Sequence, residues 1–204
     1  MPWIDFSRWD VPALTAAWRA ARPFPHVIID DLISEDDLAK LRVAVSQEPH
    51  NFNADHFYEM MGSALPMMQP ALRELEAALG APEGLAAVAA ISGKRVTRVE
   101  MRSYVYLAGS FLLPHSDFHH DLERQVAYAY YLVPRETSTG GELELFECDL
   151  EGDDIVATRP ALTIEPRANR MVLFDVSPGS LHQVREVTAG GRVSLSGWFS
   201  GSRS

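Results

Sequence analysis

Cysteine is nearly absent from this chain. Cys148 is the only one among 204 residues, so no internal disulfide can form, and a reducing, cytoplasmic setting is the expectation. Cys148 sits in an apolar run and is expected to be a buried, inert thiol rather than a nucleophile. Lysine is almost as scarce, with Lys40 and Lys94 the only two, so arginine supplies nearly all of the 18 basic residues. Those are outnumbered by 28 acidic ones, for a net charge of −10. A nucleic-acid groove needs a clustered basic face, and an anionic membrane surface needs the same, so neither partner is expected. No apolar run approaches the roughly 20 residues of a membrane span. Met1–Phe6 already carries Asp5 and lacks the basic start of a secretory signal. Repeats, low-complexity tracts and long linkers are also missing, which leaves one expected domain over residues 1–204.

What is present is an ordinary globular composition, 47% hydrophobic and 23% charged, whose pattern changes near residue 95. Residues 1–94 read mainly as helical support. Val11–Ala21 is Ala-rich with Asp10 placed to cap it, and Ser34 with Asp37 resembles a capping box opening a helix through Leu38, Leu41 and Val45. Leu72, Leu75 and Leu79 share one face of a helix predicted from Pro70 to Leu79. Phe24–Asp30 reads as a short strand. Asn51–Pro66 has no clean period and is expected to be a loop over a site, with Phe57, Tyr58 and Met61 as a lid. Trp3, Trp9 and Trp18 read as packing residues. Residues 95–204 read as strands: Arg95–Leu107, Val126–Val133, Glu142–Phe146, Ala161–Ile164, Arg170–Phe174, Leu181–Val187 and Arg192–Phe199, separated by Gly, Pro, Asp or Asn. The fold class is mainly β with flanking helices (α+β), a jelly roll with the N-terminal helices on one outer face.

His115 and Asp117 are two positions apart just past a predicted strand, so on extended backbone their side chains point the same way. His182, 65 residues after Asp117, begins another predicted strand. Two imidazoles and one carboxylate on one face of an octahedral ion are the arrangement of non-haem iron(II) oxygenases. A His-x-Asp by itself is more often a surface pair; Arg192 changes the balance. It lies ten residues after His182, where a short hairpin is expected to return it beside that histidine. An arginine inside an apolar barrel calls for an anion, such as a carboxylate held by the guanidinium fork.

With these residues in place, the chain resembles the 2-oxoglutarate and iron(II)-dependent dioxygenases, in their prolyl-hydroxylase-like branch. Phe24–Ile33 looks like the opening strand of that branch. Tyr106–Gly109 and Phe111–Asp117 look like its first metal-binding strand. Tyr130-Tyr131-Leu132 followed by Gly140–Leu143 looks like its central hairpin. Met171–Asp175, His182–Val184 and Arg192–Phe199 look like its last strands. The resemblance implies a double-stranded β-helix, which agrees with the strand reading. It implies that His115, Asp117 and His182 bind iron(II), and that Arg192 pairs with the distal carboxylate of 2-oxoglutarate. Tyr106 would donate its hydroxyl to the same carboxylate, with Tyr104 as competitor, and Ser194 would add a hydrogen bond. Dioxygen is the second co-substrate, ascorbate a stimulatory reductant, and succinate and carbon dioxide the co-products. Halogenase members carry a small residue where Asp117 stands, so hydroxylation, desaturation or ring closure is implied instead.

Arg124, Tyr131, Tyr58 and His119 are candidate substrate contacts. Each also has an ordinary reading: an exposed arginine, core aromatics, and a solvated loop holding His119 and His120. Tyr128 and Tyr130 share a strand face and Tyr131 takes the other, and either face could line the barrel. The substrate is a small molecule, an amino acid, a peptidyl residue or a natural-product scaffold; oligomeric state is not readable. The alternative from another class is a jelly-roll ligand-binding module with a structural or vestigial metal. A metal-dependent isomerase or hydrolase on a cupin-like barrel is a third, disfavoured because no further histidine lies on the predicted inner strands.

Overall fold

The computed structural model describes residues 3–132 and 138–202. Its helices are α1 (Val11–Ala20), α2 (Glu35–Gln47), α3 (Pro70–Leu79) and α4 (Pro82–Ser92), preceded by a 3-10 turn at Phe6–Arg8. Asp10 caps α1 by accepting from the Ala13 N–H at 3.0 Å, and Ser34 caps α2 by accepting from the Asp37 N–H at 3.2 Å. On α3 the leucines at 72, 75 and 79 are at most 1% exposed, each contributing about 1.5–3 kcal/mol through burial. α3 has no side-chain cap of its own. Glu48, from the end of α2, instead accepts from the Met68 and Gln69 N–H groups ahead of it.

The strands are β1 (His26–Ile29), β2 (His50–Ala54), β3 (Tyr58–Ser63), β4 (Arg98–Leu107), β5 (Phe111–His115), β6 (Arg124–Tyr131), β7 (Ser138–Gly140), β8 (Leu143–Glu151), β9 (Asp154–Ile164), β10 (Arg170–Asp175), β11 (His182–Val184) and β12 (Val187–Ser200). Val133, the expected end of one strand, lies outside the described residues. Hydrogen-bonded order runs β1-β10-β6-β12-β4-β3-β5-β11-β8-β9, with β2 on β3 and β7 on β12. Two antiparallel layers result, joined through β3: β1, β10, β6, β12 and β4 in one, β5, β11, β8 and β9 in the other. This is the expected jelly roll.

Strand alternation sorts the core into two parts. Val126, Tyr128 and Tyr130 of β6, with Met171 and Leu173 of β10, pack against the helices. Ala127, Ala129 and Tyr131, with Val172 and Phe174, face Leu143 and Leu145 of β8 across the interior. The helices therefore cover one face of the large layer, and the other face is left for a cavity.

Several expectations need correction. Asn51–Pro66 is mostly the β2–β3 hairpin rather than a loop. Its tip is organised by Asp55, which accepts from the Phe57 and Tyr58 N–H groups, and β3 is held by pairing with β4 and β5. His182 and Arg192 are not neighbours on a hairpin: β11 pairs with β5 and β8, whereas β12 pairs with β4 and β6, so the chain crosses between layers. Cys148 is half-buried; burial still raises its thiol pKa.

Candidate metal centre

His115 is the last residue of β5 and His182 the first of β11, and the register sets them directly opposite each other. Asp117 follows two residues on. One ligand atom from each of the three lies within 4.8 Å of the others. The imidazole rings are 4.3 Å apart at their centroids, and His182 Nε2 is 3.6 Å from Asp117 Oδ2. Each ring donates from Nδ1 to a backbone carbonyl, His115 to Leu113 at 2.9 Å and His182 to Ser180 at 3.0 Å. Those bonds fix the tautomer and leave both Nε2 lone pairs aimed inward, as a metal requires. Burial, followed by the neighbouring His115 and against the pull of Asp117, pushes the His182 pKa down to about 4. The ring is thus neutral and able to ligate at physiological pH. Phe174 stacks edge-on against His182 at 4.7 Å, and Phe57 approaches His115 at 6.0 Å.

These residues form one end of a cavity of about 310 Å³ between the layers. Arg192 forms the other end, reaching in from β12. It is 4% exposed, and among the described residues no carboxylate pairs with it. Its guanidinium lies 4.7 Å from the Tyr106 ring centroid and 4.9 Å from that of Tyr131. Its Nη1 donates to Ser194 Oγ at 3.3 Å, while its Nε has no partner. The Tyr131 hydroxyl is likewise buried and unpartnered. Unpaired donors and a buried cation are costly unless something fills the space between them. Burial pushes the Tyr106 pKa up to about 12, so its hydroxyl stays protonated. A two-histidine, one-carboxylate donor set at one end of the cavity, and at the other a guanidinium with no carboxylate partner among the described residues, fit an iron(II) ion and a dicarboxylate co-substrate.

The remaining candidates are distributed as follows. Tyr104 and Tyr106 share a face of β4; Tyr106 stands opposite Arg192 and Tyr104 opposite Ser194, and both line the cavity. Burial raises the Tyr104 pKa, and the nearby Asp117 charge adds to that. Tyr131, weighed as a substrate contact, sits instead against Arg192. Arg124 does reach the cavity, stacked 3.5 Å over the Trp198 ring with Nη1 3.8 Å from Asp117 Oδ1. Tyr58 packs beside Tyr106 and Met60. His119 is exposed beside Asp121, and His120 faces Asp153, both outside the cavity. Met60, rather than Met61, lines it, as does Trp198. Sequence reasoning missed Met60 because the β3 register was unread, and Trp198 because a period of two does not say which face of β12 turns to the cavity.

Comparison with known proteins fits this geometry. Residues 101–200 match the model of the 2OG-Fe(II) oxygenase superfamily. The chain is 40% identical over 116 residues to prolyl 3-hydroxylase OGFOD1 of Xenopus laevis, covering 52% of this chain and 22% of that protein. It is 39% identical over 108 residues to prolyl 3,4-dihydroxylase OGFOD1 of Ostreococcus tauri, covering 50% and 20%. The chain therefore spans about a fifth of the length of these curated relatives. Among solved structures, a Pseudomonas putida prolyl-4-hydroxylase superposes with a TM-score of 0.69 at 21% identity, covering 93% of this chain and all (100%) of that one. A Trichoplax adhaerens prolyl hydroxylase, in complex with a hypoxia inducible factor peptide fragment, gives 0.69 at 14% identity, covering 93% and 82%.

Proposed function

Because the chain belongs to the 2OG-Fe(II) oxygenase superfamily, in its prolyl-hydroxylase-like branch, we propose that it hydroxylates a prolyl residue within a peptide segment. The observation that carries this reading is the pairing, in one cavity, of a His-Asp-His face with a buried arginine that has no carboxylate partner among the described residues. Iron(II) and 2-oxoglutarate, when bound, supply dioxygen activation and oxidation of a C–H bond, with succinate and carbon dioxide as co-products.

The chain's own residues divide the remaining tasks. His115, Asp117 and His182 would hold the ion, and the Leu113 and Ser180 carbonyls hold the two imidazoles in the ligating tautomer. Arg192 would take the distal carboxylate of the co-substrate through its fork. Tyr131, whose buried hydroxyl has no partner among the described residues, would donate to the same carboxylate. Ser194 steadies the guanidinium, and Tyr106 packs against it with its hydroxyl proton retained. Leu143, Phe174 and Val184 wall the cavity and keep water from the reacting atoms. Arg124, spread on Trp198 beside Asp117, lines the cavity next to the metal face.

The relatives' names support the prolyl substrate: two OGFOD1 proteins are named as prolyl hydroxylases, and one structural neighbour was solved with a peptide. The test is aerobic incubation of the iron-loaded protein with 2-oxoglutarate and a library of proline-containing peptides, read by mass spectrometry. The reading requires one oxygen atom, derived from isotopically labelled dioxygen, on a proline residue, with stoichiometric succinate. Succinate formed with oxygen placed only on free amino acids would refute the peptidyl assignment.

A further inference from the structure

Beyond the cavity, a groove of about 440 Å³ runs between the start of β4, the end of β12, α3 and the β5–β6 loop. Arg124 and Trp198 line both spaces. Their stacked pair, with the Arg124 guanidinium 3.5 Å from the Trp198 ring centroid, stands between the two spaces and borders both. A chain with its target residue at the metal face and its flanking residues crossing that pair lies in this groove.

The groove's charges do not balance. Arg98 is paired with Glu123 at 2.7 Å, and Arg124 is turned toward Asp117. Glu76 and Glu100 remain, and among the described residues neither has a cationic partner. Glu76 accepts from the Met101 N–H at 3.0 Å, which anchors it beside the strand that carries Glu100. Burial raises the Glu76 pKa, the Met101 bond opposes this, and the Glu100 charge adds to the rise. The two carboxylates thus line, without a cationic partner among the described residues, a groove that also exposes Leu65 and Leu122. A cation on an aliphatic stem satisfies both features, because its methylenes cover the leucines while its head lies between the acids.

We propose that this groove is a specificity subsite for a lysine or arginine side chain of the peptide substrate, a few residues from the hydroxylated position, read by Glu76 and Glu100. This rests on the peptidyl reading above, and the test separates the two. First, holo-protein with iron(II) and 2-oxoglutarate, without oxygen, is checked for the visible absorption of the chelate. Its absence would overturn the oxygenase reading before any peptide is added. Labelled undecapeptides with a central proline in an Ala/Gly/Ser host are then titrated by fluorescence anisotropy, one lysine being walked through every flanking position. Lysine at positions on one side of the proline is expected to tighten binding roughly five- to tenfold, and glutamate there to weaken it. Glu100→Gln and Glu76→Gln, the latter retaining an acceptor for the Met101 N–H, should abolish the gain while the chelate absorption persists. Indifference to lysine at every position, or a gain that survives in the double variant, would overturn the subsite.

Discussion

Arg192 is where a single side chain bears most on the account. Arg192→Ala should raise the 2-oxoglutarate requirement by about 30-fold or more, since a desolvated charge pair is worth about 2–5 kcal/mol. Arg192→Lys should recover only part, because the ammonium cannot reproduce the fork. Steady-state kinetics against 2-oxoglutarate measure both. Tyr131→Phe should weaken co-substrate binding about fivefold to tenfold if the orphaned hydroxyl finds its partner there, and no change would remove it from that role. His182 gives a pH signature. The unfolded ring takes up a proton near pH 6.5, but the native ring only near 4. Between those values the unfolded state binds more protons, so acidification over this window destabilises the metal-free protein, with no further loss from this group below it. Urea midpoints measured from about pH 7 to about pH 5 should fall, and should fall less in His182→Gln. The residues most legible in the sequence were those whose chemistry is rare together, His115, Asp117, His182 and Arg192. Tyr131 was harder, because a period of two says that residues 128 and 130 oppose 131 without saying which side the helices cover.

At the scale of elements, the approach of β7 to β12 fixes Arg192. Gly140 and Gly141 both have positive φ, at 80° and 73°. A Cβ on Gly141 would stand 3.0 Å from Arg192 Cδ and from Val187 Cγ2. Gly141→Ala should therefore cost about 1–3 kcal/mol of stability through backbone strain and also weaken 2-oxoglutarate binding by moving the guanidinium. Thermal melting with a parallel co-substrate titration checks it, and a stability loss with unchanged affinity would show that the contact yields elsewhere. The capped helices α1 and α2 were readable from their caps and apolar spacing, and β6 and β10 as short apolar runs buried on both faces between turn residues. The β2–β3 hairpin was not: His50–Ala54 is mostly exposed, and its order comes from Asp55 at the turn and from pairing with distant strands, which no local period records. For the same reason Met60 was passed over in favour of Met61. The long β8–β9 hairpin was also under-read, since most of β9 is exposed and lacks alternation.

For the whole molecule, two layers of strands make a site whose two ends belong to different layers, and the helical layer covers the outer face, with only Glu76 of α3 reaching the neighbouring groove. That division predicts separable effects. Leu75→Ala, in the helical core, should cost about 2–5 kcal/mol in unfolding free energy and leave metal and co-substrate affinity of the folded protein unchanged. The account's central claim is that both ends of the cavity act on one ligand set, and the most direct measurement is anaerobic titration of the metal-free protein with iron(II) and then 2-oxoglutarate, followed by visible absorption. The weak charge-transfer band of the chelate should appear in the unaltered protein, vanish in His182→Ala and require much more 2-oxoglutarate in Arg192→Ala. A folded, iron-binding protein that gives no band, or one whose band is indifferent to Arg192, would contradict it.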